Sequence, residues 1–378
     1  MRHRGCRSRT LIGLNGPITI RRARFQCSKT GQMSFPLDAA LDLPAGEVTV
    51  SVARRAMRMA TKMGFEELAD ELLAQHDVRL TDSTLNDLMQ KVGGVAEADR
   101  QAELNVLSAA PRGHYREQLV AVNRAAPARL YVSCDGITYR TRYREEDPEH
   151  PGEKRVVYQE MKTGAVFWQD VKGRWRKQVV TGRDDPERFG LSLWKVAVQC
   201  GMLSCPEVIF ISDGGIWCST VAELYFKDAI RILDWYHLTE HVWAAGRKLY
   251  PQDQKAAKRW VLDCLDDLYD GGGRGLLAHL ERCHTARRGG ELEPLEELMD
   301  YVSPRLGITD YVNYRAKGYV IGSGMIESTC KQVVGQRLKG AGMKWSEPGA
   351  IAMAALVAQK LNGTWDPFWA GRPLQRAA

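Results

Sequence analysis

Two apolar, β-branched runs in this chain halt at Asp-Gly, and a third acid follows a Gly-Ser-Gly turn; these segments constrain where strands end and a helix begins. They are Tyr131-Val-Ser-Cys-Asp135-Gly136, Val208-Ile-Phe-Ile-Ser-Asp213-Gly-Gly215 and Gly322-Ser-Gly-Met-Ile-Glu327-Ser328. Runs of this length closed by glycine read as strands, which places Asp135 and Asp213 at carboxyl ends. The Gly-Ser-Gly turn opens a helix and sets Glu327 in its first turn. Singly, an Asp-Gly is a turn, and a Glu four residues before Lys331 is a surface helix pair. Together they read as one site, because apolar or small residues precede each acid and a charge there needs compensation that a shared divalent cation supplies. Three hard oxygen ligands suit magnesium (or manganese). Two such ions roughly 4 Å apart suit in-line phosphoryl displacement without a covalent protein nucleophile.

Charge is distributed unevenly around these segments. The formal net charge is +7, yet eight bases (Arg2, Arg4, Arg7, Arg9, Arg21, Arg22, Arg24 and Lys29) precede the first acid, Asp38, and the other 45 bases face 46 acids. A concentrated basic arm is the footprint of a polyanion partner, since each phosphate contact releases counterions; the plainer reading is a solvated basic face. No run of roughly 18 apolar residues occurs and the Arg-rich start lacks a secretory apolar stretch, so a soluble, cytoplasmic protein without membrane attachment is expected. An organelle transit peptide fits poorly, because Pro17-Ile-Thr-Ile-Arg-Arg-Ala-Arg-Phe25 alternates like a strand. Nine cysteines, an odd number without a C-x-x-C pair, speak against a disulfide framework.

At 378 residues the chain has room for two or three domains. Residues 1–45 read as a basic β-rich arm. Residues 46–126 read as helical: Val50–Met63, Glu66–Gln75 and a third helix capped by Thr81 or Asp82 and running through Leu85, Leu88 and Met89. Three short helices with tight turns suggest a helix-turn-helix offering Ser83, Asn86, Asp87, Gln90 and Lys91 to a DNA groove, or equally a plain bundle. From Arg129 the pattern is mixed: strand Leu130–Cys134, strand-like Val156–Glu160 and Ala165–Gln169, the basic segment Lys172–Val180, helix Pro186–Met202, strand Glu207–Ser212, helix Val221–Phe226 and strand Ala229–Leu233. A nearly all-helical stretch follows to about Asn313, then helices Gly322–Arg337 and Glu347–Leu361. That order is expected of an α/β, RNase H-like mixed-sheet catalytic core (127–246 and 318–362) with an all-helical insertion (247–317) and a tail (363–378).

The segments Cys134-Asp135-Gly136, Phe210-Ile-Ser-Asp213-Gly-Gly215, Leu233-Asp-Trp-Tyr-His237, Gly322–Ser328 and Arg337-Leu-Lys-Gly-Ala-Gly-Met-Lys-Trp345 resemble those of ISKra-type insertion-sequence transposases, DDE-superfamily enzymes with Mutator-like features. The resemblance runs from about Pro17 to Trp369, and its last two motifs are more distinctive than the Asp-Gly pairs. It implies metal-dependent cleavage of terminal inverted repeats and strand transfer into target DNA by a homo-oligomer working on the nucleoid. It also implies that Asp135 bridges both metal ions while Asp213 and Glu327 bind one each. Asp234 and His237 match the family's D-x-x-H element. From the residues alone, Asp234 ends a strand and His237 begins a helix, close enough to orient one another or meet DNA, or His237 is structural.

Between Ser328 and Ser346 stand Lys331, Arg337, Lys339 and Lys344 with no acid, a positive surface for phosphates; Arg21, Arg22 and Arg24 are its counterpart in the arm. Trp217 and Trp345 either stack on an unpaired base or belong to the core. Relatives carry a zinc-ribbon-like cysteine set in the arm. Here only Cys6 and Cys27 remain and Thr30 replaces a second cysteine, so a four-ligand zinc site is not expected even with His3. Two other readings stand beside the transposase. One is a catalytically silent DNA-binding relative. The other is an inverted-zincin metalloprotease, since His237-Leu-Thr-Glu240-His241 matches H-x-x-E-H.

Overall fold

The structure is a computed structural model that describes residues 1–41, 43–44, 46–109, 126–286, 292–371 and 373–376. Residues 110–125 of the anticipated helical region, 287–291 of the anticipated insertion and 372, 377 and 378 of the tail lie outside the described residues.

The basic arm is an antiparallel meander, β1 (Arg2–Gly13), β2 (Gly16–Gln26) and β3 (Met33–Ser34), turned at Leu14-Asn15. A short helix, α1 (Pro36–Ala40), follows. It brings Asp38 to Arg9 and Arg22, so the first acid of the sequence neutralises part of the arm internally.

Helices α2 (Val50–Ala60) and α3 (Phe65–His76) fall where apolar spacing puts them. The third helix differs from the expected short one: α4 (Asp82–Ala109) runs for 28 residues through Gly93-Gly94. Packing explains this. The Ala352 backbone comes so close to Gly93 that a Cβ there would collide with its carbonyl. Gly93 therefore admits a neighbouring helix rather than ending its own. That neighbour is α13 (Glu347–Leu361). Val52, Met57, Leu68, Leu85 and Met89 share one core with Leu356, Trp345 and Trp369, and with Tyr139 and Met161 of the sheet. The helical region thus packs as one body with the C-terminal helices.

Five strands form the central sheet: β4 (Arg129–Glu146), β5 (Lys154–Gln169), β6 (Trp175–Gly182), β7 (Glu207–Ser212) and β8 (Ile230–Leu233), in the order β6-β5-β4-β7-β8. The β4–β5–β6 meander is antiparallel, whereas β7 and β8 join β4 in parallel. One face packs on α5 (Pro186–Gln199) and α6 (Ile216–Tyr225) through Leu130, Val132, Phe189 and Val221. The other face meets α7 (Trp235–Leu249), α8 (Gln254–Ala286), α9 (Glu293–Val302) and α10 (Tyr311–Ala316) through Tyr131, Ile209, Ile232, Leu268 and Tyr311. Helix α8 is kinked at Gly272, whose φ of 63° a side chain would resist. Helix α11 (Gly324–Cys330) continues through a π-helical turn, Lys331–Gly335, into α12 (Gln336–Leu338). Among the described residues no helix is long and apolar enough to cross a membrane, and the nine cysteines are free thiols.

Candidate active site

Asp135 does not end its strand as the sequence suggests. β4 runs on to Glu146 because the antiparallel hairpin continues to pair it, with Asp135 opposite Thr163 on β5. What stops near Asp135 is the parallel partner: the last β4–β7 pair is Ser133 with Ile211, and Asp135 and Asp213 each lie two residues beyond it. Register therefore brings the two carboxylates side by side. Burial lifts the Asp135 carboxyl to about 6, with the Asp213 charge adding to the rise, while hydrogen bonds from the Gly136 N–H and the Cys330 thiol oppose it. Glu160, which no sequence motif marks, adds a smaller repulsion. It lies opposite Thr138 on β5 and leans its carboxylate over Gly136.

Asp213 follows the last residue of β7, as its sequence implies. Its Oδ1 accepts from the Gly215 N–H at 2.8 Å. Gly214 has φ 77° and sits against Leu233 and Arg305, so both the turn and the close approach require glycine. The helical insertion braces this loop: the Tyr301 hydroxyl donates to the Asp213 carbonyl at 3.0 Å and Arg305 to the Gly214 carbonyl at 3.3 Å.

Glu327 occupies the first turn of α11 and is exposed. Its Oε1 accepts from the Ser323 hydroxyl. Ser323 is held in turn by Asp234, whose Oδ1 accepts the Ser323 N–H at 2.8 Å. Asp234 is 4% exposed and caps α7 by accepting from the backbone N–H groups of Tyr236 and His237. Burial raises its carboxyl above the ordinary range. Asp234 thus holds the backbone of His237 and the Glu327 turn and is not open to DNA in this structure. Lys177 steadies the other side of α11 by donating to Thr329 at 3.1 Å and to Gln332 at 2.8 Å.

A cavity of about 490 Å³ joins these elements. Asp135, Glu327, Cys330, Lys331 and Lys339 line it, with the π-helical turn as one wall. Acids and amines at one opening suit a cation and a phosphate together. For a divalent ion the donor chemistry fits at Asp135 and Asp213. The third ligand stands off: Glu327 reaches the same cavity with its carboxylate turned to Ser323. Among the described residues, no three His, Cys, Asp or Glu side chains lie close enough together to hold an ion.

The basic residues divide. Lys331, Lys339 and Lys344 are exposed, as is Arg21. Arg337 is 1% exposed, and the expectation of a phosphate contact does not match its position. Its Nε donates to the Ala60 carbonyl at 2.6 Å, and its guanidinium lies 4.7 Å and 4.9 Å from the Phe65 and Trp345 ring centres. Burial lowers its pKa to about 10. Arg22 is likewise buried, on Asp38 and the Phe35 ring, while Arg24 is half-buried and bonds the Arg4 carbonyl. Trp345 is a core residue at 5% exposure, and half-buried Trp217 packs edge-on against Phe189.

The H-x-x-E-H pair does converge, with His237 Nε2 and His241 Nε2 3.2 Å apart and Tyr301 stacked on His241. No third donor of a zinc set joins them among the described residues, and Glu240 is largely exposed.

No protein-family model matches the chain, and no curated protein matches it. Among solved structures, the Drosophila P element transposase strand transfer complex is similar over 87% of this chain and 81% of that chain, at 11% identity and a TM-score of 0.30. A likeness that weak leaves fold and function to rest on the chain's own residues.

Proposed function

We propose that the chain is a DDE-type transposase of the ISKra kind, with an RNase H-like catalytic core that cleaves DNA at an element's terminal inverted repeats and joins it to target DNA. The observation that carries this reading is the cavity where Asp135 and Glu327 face Lys331 and Lys339, with Asp213 near enough to raise the Asp135 pKa. The sheet order, with β4 central between an antiparallel meander and two parallel strands, supports the core assignment.

Magnesium or manganese ions on Asp135, Asp213 and Glu327 would supply an activated water and a stabilised leaving oxygen. The chain's own residues do the rest. Lys331 and Lys339 hold phosphate oxygens beside the acids, while exposed Lys344 and the arm, chiefly Arg21, hold the backbone farther out. Asp234 and Ser323 set the turn from which Glu327 projects. A homo-oligomer on paired ends, acting at the nucleoid, follows from the same reading.

The test is nicking of a plasmid carrying the inverted repeats that flank the gene, with magnesium or manganese and with chelator. Metal-dependent nicks at the repeat ends are expected. Specific binding without any cleavage would instead establish the catalytically silent relative.

A further inference from the structure

A second cavity, of about 570 Å³, opens at the amino-terminal end of α11. Five aromatic rings line it, those of Phe167, Trp175, Trp235, Tyr236 and Tyr269, and among the described residues no charged side chain does. Three of the five are unusually open to solvent: Trp175 is 43% exposed, Tyr236 58% and Tyr269 53%. Large aromatic residues at that exposure, gathered in a concavity, forgo burial that a core would give them. Gly322 makes room for one, since a Cβ there would come within 2.6 Å of the Tyr236 ring.

The aromatic cavity adjoins the acidic one along a single helix stripe. Gly324 lines the first and Glu327 the second. Residues three apart on a helix face lie about 5–6 Å from each other. A nucleotide with its phosphate at Lys331 therefore has this ring-lined cavity about one helical turn away. Arg315 lies on one face of the Tyr269 ring, 3.3 Å from its centre, and the uncharged lining otherwise suits a base, which offers its π face to Trp175 and Tyr236.

We propose that the Trp175–Tyr236–Tyr269 cavity receives an unstacked nucleobase from the DNA strand whose phosphate lies at the acid cavity. The proposal rests on the DNA-cleaving reading above. It assigns the aromatic role to rings other than Trp217 and Trp345. Because stacking is indifferent to base identity, the cavity accepts any base and favours ends that are already unpaired.

The test uses the full chain in chelator with two duplexes of equal length, one blunt and one ending in an unpaired 5-iodouracil overhang. After irradiation, crosslinked peptides are sequenced by mass spectrometry. The expected adducts are on Trp175, Tyr236 or Tyr269. A Trp175→Ala/Tyr236→Ala double variant should lose about tenfold in affinity for the overhang duplex and keep its affinity for the blunt one. Both rings are exposed, but crosslinking of the unaltered protein decides the matter even should the double variant misfold. Adducts confined to other surfaces, on a protein that binds both duplexes, would overturn the cavity assignment and leave the DNA reading standing. Failure to bind either duplex would overturn both.

Discussion

The Ser323 backbone N–H donates a 2.8 Å hydrogen bond to Oδ1 of Asp234, joining the end of β8 to the turn that carries Glu327. A parallel contact from the Trp235 N–H to the Ile321 carbonyl, at 3.0 Å, doubles the link. The acid of the D-x-x-H element therefore acts on the third carboxylate through the backbone. Asp234→Ala removes the α7 cap and leaves the Ser323 N–H buried and unpaired. Its expected cost in urea unfolding is about 2–4 kcal/mol. Asp234→Asn keeps one accepting oxygen and is expected to cost less than half as much. A loss below about 0.5 kcal/mol for the alanine variant, the size of an ordinary surface change, would remove the brace.

Arg337 and its neighbouring lysines should separate cleanly. Arg337→Ala loses the Ala60 hydrogen bond and two ring contacts. A destabilisation of about 2–4 kcal/mol is expected, with the salt slope of DNA binding unchanged. Lys331→Ala and Lys339→Ala should leave stability alone and each lower that slope by about 1. Salt-titrated binding isotherms decide it, and a reduced slope in the Arg337 variant would put that residue on DNA after all.

Asp135 gives the apo protein a pH signature. Its carboxyl sits at about 6 against an ordinary 3.8, so between those values the folded state holds the proton more tightly than the unfolded chain. The resulting stability is fully present below the unfolded pKa and is lost as pH rises through about 6. Two units correspond to about 3 kcal/mol before screening, and about 1–3 kcal/mol is expected. In chelator, Asp135→Asn should be more stable than the parent at pH 8 and close to it at pH 4. Parallel stability curves across that range would mean that the carboxylate is not strained by burial.

Gly214 should tolerate no side chain. Gly214→Ala meets Leu233 Cδ1 at 2.8 Å and a φ of 77° that only glycine adopts freely. A cost of about 1–3 kcal/mol is expected from thermal melts, with DNA binding retained. An unchanged melting temperature would show that the Asp213 loop adapts.

Much of this site was legible in the residues. The bounds of β7 and α13 and the first-turn position of Glu327 follow from apolar spacing and the turn residues beside them. What escaped is set by partners distant in sequence. Asp135 looked like a strand end because Asp-Gly stops many strands; only the β5 hairpin, which also fuses Val156–Glu160 with Ala165–Gln169 through Met161–Gly164, carries β4 past it. The length of α4 escaped because the sequence cannot announce that Ala352 packs against Gly93. Arg337 looked solvated because a run of bases without acids usually is, whereas its cage is built from Phe65 and Trp345, on either side of it in the chain. Glu160 joins the site by cross-strand register alone.

The most direct measurement is magnesium-dependent cleavage of inverted-repeat DNA by Asp135→Ala, Asp213→Ala and Glu327→Ala, beside the affinity of each for the same DNA in chelator. Carboxylates add nothing to phosphate affinity without metal, so all three variants should bind within about twofold of the parent and cleave at least 10²-fold more slowly. Cleavage at the parent rate by any one of them would remove that residue from the triad and contradict a site built on all three.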